Sequence, residues 1–313
     1  MFSTRYAKFA WAVMVWNVLT ALWGAFVRAT GSGAGCGNHW PLCNGDVLPR
    51  TPQADTLVEF SHRITSGIAL IGVLVLLVWA FRAFPKGHPV RWGAVGSAFF
   101  IITESLLGAS LVIFGWVTNN DSAGRAVVVS IHLVNTFLLI ASLAVTAWWA
   151  SGQRPVVLPR YRWVIWGMRV GLLGLLVVGI TGAITALGDT LFPAASLAEG
   201  LRQDMDPSRH FLIELRVWHP VISVLVGVYV AWLARLVSSI NVSQQITRVA
   251  RVLIVLVGIQ LLMGFVNVLL LAPVWMQVVH LLLADGVWLS AVFLAASIAA
   301  VPVPRFEVSE KQG

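Results

Sequence analysis

Eight apolar stretches, each near the roughly 20 residues that a bilayer crossing requires, divide this sequence and leave few folds open. They fall at about 7–27, 60–81, 92–114, 127–149, 163–187, 212–233, 252–271 and 274–300. Hydrocarbon offers no water to backbone N–H and C=O groups, so stretches of this length must be helices that close their own hydrogen bonds. Charged residues make up 11% of the chain, against about 25% in a soluble domain. The expected class is an all-α membrane protein. Glu104 and Asp285 stand within the third and eighth stretches, so they should face the bundle interior.

The first stretch is too long for a signal-peptide core, and no A-x-A-like site follows it. No Arg- and Ser-rich transit segment precedes it, which points to a bacterial plasma membrane. Lys and Arg set the orientation. With a cytoplasmic N-terminus, 14 of the 21 basic residues lie inside, among them Arg5, Lys8, Arg82, Lys86, Arg154, Arg160, Arg305 and Lys311. Nine of the 13 acids lie outside. The net charge of +8 is therefore a topology signal, not a nucleic-acid footprint. Both termini are expected in the cytoplasm.

Four of the seven histidines repeat one placement. His62, His132, His219 and His280 each stand near the start of every second stretch, so all four should lie toward the outer face. Imidazole within a membrane is costly and marks function. A hydrogen bond to a neighbouring helix explains one such residue; four in register suit two bis-histidine haem sites. Nothing has zinc-site spacing.

The halves overlay. Gly24-Ala25 recurs as Gly182-Ala183, Leu106-Leu107-Gly108 as Leu261-Leu262-Met263-Gly264, and His132-Leu133 as His280-Leu281. Four spans per half make parallel repeats. The expected architecture is two tandem pseudo-symmetric four-helix bundles, 1–150 pairing His62 with His132 and 151–313 pairing His219 with His280.

Polar residues separate the halves. Glu59 stands three residues before His62, and Arg216 three before His219, positions that share a helix face. Arg216 suits haem propionates, and Arg63 is placed to do the same in the first half. Glu59 reads two ways: an acid–base group at a haem edge, or the end of a capping box opened by Thr56. Cys36 and Cys43 lie in the first outer loop, where a disulfide can persist, as a structural staple or as a redox-cycling pair. His39 beside them reads as a loop residue. In the second outer loop Ser196 and Glu199 form another capping box, and Leu197, Leu201 and Met205 form a stripe expected to cover the pocket. Asp206-Pro207 reads as the start of the next helix.

Three segments together carry a resemblance: Gly33–Gly45 with its Gly-Cys-Gly-x-x-Trp-Pro-Leu-Cys, Glu59–Arg63 (Glu-Phe-Ser-His-Arg), and His132–Asn135. With the eight stretches, they resemble the haem A synthase family over nearly the whole chain. The resemblance implies oxidation of the C8 methyl of haem O to a formyl group through a hydroxymethyl. It implies a haem b cofactor on His219 and His280, and substrate haem at His62 and His132. It further implies a catalytic Glu59 and a Cys36–Cys43 disulfide. Family members that carry a second cysteine pair in the second outer loop differ from this chain, which has none there. Expected partners are haem O synthase, terminal oxidase assembly factors and a membrane electron carrier. Two rivals use the same histidines without porphyrin chemistry: a di-haem b electron-transfer protein and a haem transporter.

Overall fold

The computed structural model describes residues 2–50, 52–152, 162–240 and 244–299. The segment joining the expected halves and the last residues lie outside these, as do Arg154, Arg160, Arg305 and Lys311 of the charge tally. The described helices are α1 (Phe2–Ala29), α2 (Ala54–Ala83), α3 (Pro89–Ile113), α4 (Ala123–Ala150), α5 (Arg162–Leu191), α6 (Leu197–Met205), α7 (Phe211–Arg216), α8 (Trp218–Ser239), α9 (Gln244–Leu269) and α10 (Val274–Ala299). Among the described residues they supply eight spans long and apolar enough to cross a membrane, with α7 and α8 forming one. The chain is a multi-pass membrane protein. Each expected stretch falls on one span; α2 and α9 start earlier than hydropathy suggests because their polar first turns stay helical.

Local chemistry explains several starts. His88 accepts the Val90 N–H at 3.2 Å with Pro89 in the first turn of α3, where a missing N–H costs nothing. Ser122 Oγ accepts the Arg125 N–H to begin α4. Ser196 accepts the Glu199 N–H at 3.2 Å as expected of the cap, and the Glu199 carboxylate reaches back to the Ala195 N–H at 2.9 Å, one residue beyond the Ser196 amide of a full capping box.

Two expected starts are wrong. Thr56 is not a cap: α2 begins at Ala54 behind Gln53, and the Thr56 hydroxyl donates to Gly35 O at 2.8 Å. Asp206 does not open a helix either, since α7 starts at Phe211 with His210 as its cap. Asp206 instead accepts from the Ser208 hydroxyl and amide, which hold its carboxyl below the usual range.

The span carrying His219 changes hydrogen bonding at Val217, between α7 and α8, while Val217 keeps right-handed helical angles (φ −61°, ψ −27°). Pro220 has no N–H to donate to the carbonyl four residues back, that of Arg216.

In the packing, α1 lies against α2 and α4, and α3 closes against both; α5 lies against α8 and α10, and α9 closes against both. α1 and α4 meet α5 and α10 along a seam. α4 and α10 are the most buried spans and α9 the least. At the seam Trp288 stacks on Phe137 at 5.5 Å and donates its indole N–H to Phe137 O at 2.7 Å. Gly179 admits this pair, because a Cβ there would stand 2.9 Å from the Phe137 ring. Outward faces carry Trp232, Leu262 and Phe265, as lipid contact requires. Asp285 faces inward as expected, 2% exposed, and neither carboxyl oxygen has a protein partner.

Ile140 is fully buried in the seam cluster with Phe137, Trp288 and Val292. Ile140→Ala should cost about 2–5 kcal/mol, read as a lower unfolding midpoint in detergent. An unchanged midpoint would remove the seam from the stabilising core.

Candidate functional site

Each of the four imidazoles lies about two turns from the start of its span, at the end of the bundle where α2, α4, α7 and α10 begin. Each rests on a glycine of the preceding span. A Cβ on Gly24 would stand 2.9 Å from His62 Cε1; on Gly182, 3.1 Å from His219 Cε1; on Gly264, 3.2 Å from His280 Cε1; and on Gly108, 3.7 Å from His132 Nε2. At Gly24, Gly182 and Gly264, hydrogen in place of Cβ is what lets the ring approach the helix backbone this closely; Gly108 lies at ordinary contact distance. His62 and His132 lie within electrostatic reach of each other, as do His219 and His280. The two expected pairs are thus brought together.

The atoms around the rings fit a haem at each pair. The Nδ1 atoms of His62, His132 and His280 are buried without a hydrogen-bond partner, a cost that a metal or acceptor at that same nitrogen would relieve. His219 Nδ1 is 3.0 Å from the Thr181 hydroxyl and 3.4 Å from that of Ser223. Such a contact fixes ring orientation and leaves the other nitrogen to a metal.

His132 meets Glu104, which was expected inside the bundle, and His280 meets Gln260, which hydropathy does not single out. Glu104 Oε1 stands 3.1 Å from His132 Nδ1, close in distance but off the line of the ring N–H. Glu104 also accepts from Asn135 Nδ2 and from the Thr136 hydroxyl. His280 Nε2 stands 3.2 Å from the Gln260 amide nitrogen. Glu104 lies one turn before Gly108, and Gln260 one turn before Gly264. The two halves therefore place a carboxylate and a neutral amide at equivalent sites. The signal was in the sequence, one turn upstream of the aligned glycines.

In the first half, Cys36 and Cys43 form a disulfide. The loop they close is fastened to α2 by side chains of that helix. Glu59, 3% exposed, accepts the Cys36 N–H at 2.8 Å and the Arg63 guanidinium. Arg63 donates onward to His39 O and Leu42 O, each at 2.6 Å. Gly35 packs directly on the Asp55–Thr56 backbone, where a Cβ would clash. Glu59 therefore joins loop to helix rather than capping α2. His39 contributes its carbonyl, as suits a loop residue.

The second outer segment is built differently. Arg216 is paired with Asp204 at 2.6 Å and Asp189 at 3.1 Å. The stripe expected to cover the pocket, Leu197, Leu201 and Met205, is exposed, while the polar side of α6 reaches Arg216 through Asp204 and Gln203.

Two outcomes follow. Gly182→Leu should displace His219 and abolish a bis-histidine haem spectrum in the second half, whereas Gly258→Leu, which points into open space, should leave it intact; absorbance of the purified proteins decides. Arg63→Leu leaves a buried carboxylate and two loop carbonyls unpaired, so it should cost about 3–5 kcal/mol and expose the 36–43 loop to protease. Equal protease resistance would remove Arg63 from the loop's support.

With this geometry in place, comparison with known proteins is informative. A protein of Thermus thermophilus named protoheme IX farnesyltransferase is 55% identical over 98% of this chain, which covers 50% of that protein. A heme A synthase of Exiguobacterium is 31% identical over 59% of this chain and 60% of its own length. One from Shouchella clausii is 45% identical over 31% of this chain and 33% of its own. The matches thus span between a third and three-fifths of these relatives' lengths. Residues 7–292 match the family model COX15-CtaA, described as cytochrome oxidase assembly protein, and the chain belongs to that family.

Proposed function

We propose that this chain is a haem A synthase, oxidising the C8 methyl of haem O to a formyl group through a hydroxymethyl stage. The observation that carries this reading is an asymmetry. Both halves seat two imidazoles on glycines, but one half adds a disulfide-closed loop, Glu59 and Glu104 beside its pair. Named relatives support it: several similar proteins are heme A synthases. The Thermus relative bears the name of a protohaem farnesyltransferase and extends well beyond the matched part, which supports haem O synthase as a partner. Assembly factors of the terminal oxidase and a membrane electron carrier complete the proposed set.

In this reading the halves are tandem pseudo-symmetric four-helix units, 1–150 and 151–313, with both termini cytoplasmic and the imidazoles toward the outer side. His62 and His132 hold the substrate haem. His219 and His280 hold haem b, with Arg216 at its edge, its guanidinium positioned by Asp189 and Asp204. Haem b, when bound, supplies an electron-transfer centre.

This chain's own residues do four things. The imidazoles bind and orient the porphyrin. Glu104 stands at the Nδ1 side of His132, where a carboxylate raises ligand basicity. The stapled loop excludes water from the end of the pocket. Glu59, one turn outward of His62, is the candidate acceptor for a proton leaving the substrate carbon.

Mass analysis of haem before and after haem O is supplied to the purified protein tests the activity. Hydroxymethyl and formyl products are expected; recovery of haem b alone with unaltered haem O would favour the electron carrier. Glu59→Gln retains an oxygen for the Cys36 N–H but removes the basic carboxylate. It should bind haem and yield no formyl product, and undiminished product would leave Glu59 as a loop strut only.

A further inference from the structure

A polar cavity of about 170 Å³ lies where the end of α1, the α3–α4 connection, the start of α4 and the end of α5 meet. Its walls include Arg28, Arg125, Thr30, Thr118, Asn119 and Thr190. Arg63 and Arg216 each pair with a carboxylate. Among the described residues, neither Arg28 nor Arg125 forms an ion pair.

Arg28 donates to three uncharged oxygens: Ala186 O at 2.8 Å, the Thr190 hydroxyl at 2.9 Å and Gln277 Oε1 at 2.7 Å. Arg125 is 4% exposed, donates to Asn120 O at 2.7 Å, and keeps its Nε buried with no partner. The two guanidinium groups are near enough to repel each other, and the acid that Arg28 feels, Asp189, is bonded to Arg216. Neutral acceptors satisfy N–H groups but leave the charge uncompensated, and a buried uncompensated charge is costly.

We infer that this cavity binds one anionic oxygen-bearing group, a carboxylate or a phosphate, between Arg28 and Arg125. The volume suits one such group, and guanidinium forks match both geometries. The register says which larger molecule can present it. Arg28 lies one turn beyond Gly24, the seat of His62; Arg125 lies two turns before His132; and Gln277, which Arg28 holds, lies one turn before His280. The anion sits on the loop side of the ring pairs, within reach of a porphyrin side chain from below or of a lipid head group from the membrane surface. The porphyrin source rests on the haem reading above; the anion site itself does not.

The test uses the full chain, purified in detergent and in nanodiscs containing phosphatidylglycerol. Protohaem and its dimethyl ester, which lacks free carboxylates, are titrated by absorbance into wild type, Arg125→Gln, Arg28→Gln and Arg125→Lys. The expected result is protohaem binding about 10- to 100-fold tighter than the ester in wild type. That gap should close in either Gln variant and persist in part in Arg125→Lys. Equal affinity for the two porphyrins, with phosphatidylglycerol retained by wild type and lost from Arg125→Gln in native mass spectrometry, assigns the same site to lipid phosphate. Equal affinity without retained lipid in wild type overturns the inference with no variant needed, as does a gap unchanged by both Gln substitutions. Failure of both porphyrins to bind, or binding indifferent to His62→Ala and His219→Ala, counts against the haem reading instead.

Discussion

An imidazole in a low-dielectric bundle needs a polar or metal partner on each nitrogen, and it needs room beside a helix whose side chains would ordinarily fill that space. Glycine resolves the second requirement for His62, His219 and His280, and Gly108 lies beneath His132 at ordinary contact distance. With Gly24, Gly108, Gly182 and Gly264 under the rings, the preceding helix presents bare backbone to each histidine. That contact sets which face of α1 meets α2, α3 meets α4, α5 meets α8 and α9 meets α10. Rotating any of these helices by one residue would replace glycine with Trp23, Leu107, Thr181 or Met263. The positions of Glu104 and Gln260, one turn from their glycines, follow from the same register.

The halves thus share a frame and differ in charge. The side chains that touch His219 and His280 are neutral, Thr181, Ser223 and Gln260, with the Arg216 ion pairs one turn outward. Around His62 and His132 stand Glu104, Glu59 and Arg63. A carboxylate behind a ligating histidine makes it a stronger donor to iron than an amide does. The charged half is also the one closed by the disulfide loop. Under the proposed function, polar groups changed on one side of a repeated frame would separate a reactive site from a holding site without altering the helix packing.

The fold was largely legible because bilayer length and hydropathy act on whole segments. The histidine pairs were legible because spacing repeats. What escaped depends on groups distant in sequence. Glu59 three residues after Thr56 has the form of a capping box, yet both side chains turn to the 35–36 backbone, which no local rule anticipates. Arg216 was placed by helix periodicity alone, which gives no sign that Asp204 and Asp189 pair with its guanidinium. The α6 stripe was legible as amphipathic, but the contacts of its polar side with Arg216 come from groups distant in sequence.

Each ring pair joins one helix in the seam to one outside it. His132 and His280 ride on α4 and α10, the most buried spans, which the Trp288–Phe137 contact fastens together. His62 and His219 ride on spans that enter from irregular structure: α2 follows the stapled loop, and the α7–α8 span follows the residues between Met205 and Phe211. Adjusting a central helix would disturb both halves at once, whereas α2 and the α7–α8 span can shift against lipid at lower cost. In the first half the ring outside the seam stands on the helix that Glu59 and Arg63 tie to the disulfide loop.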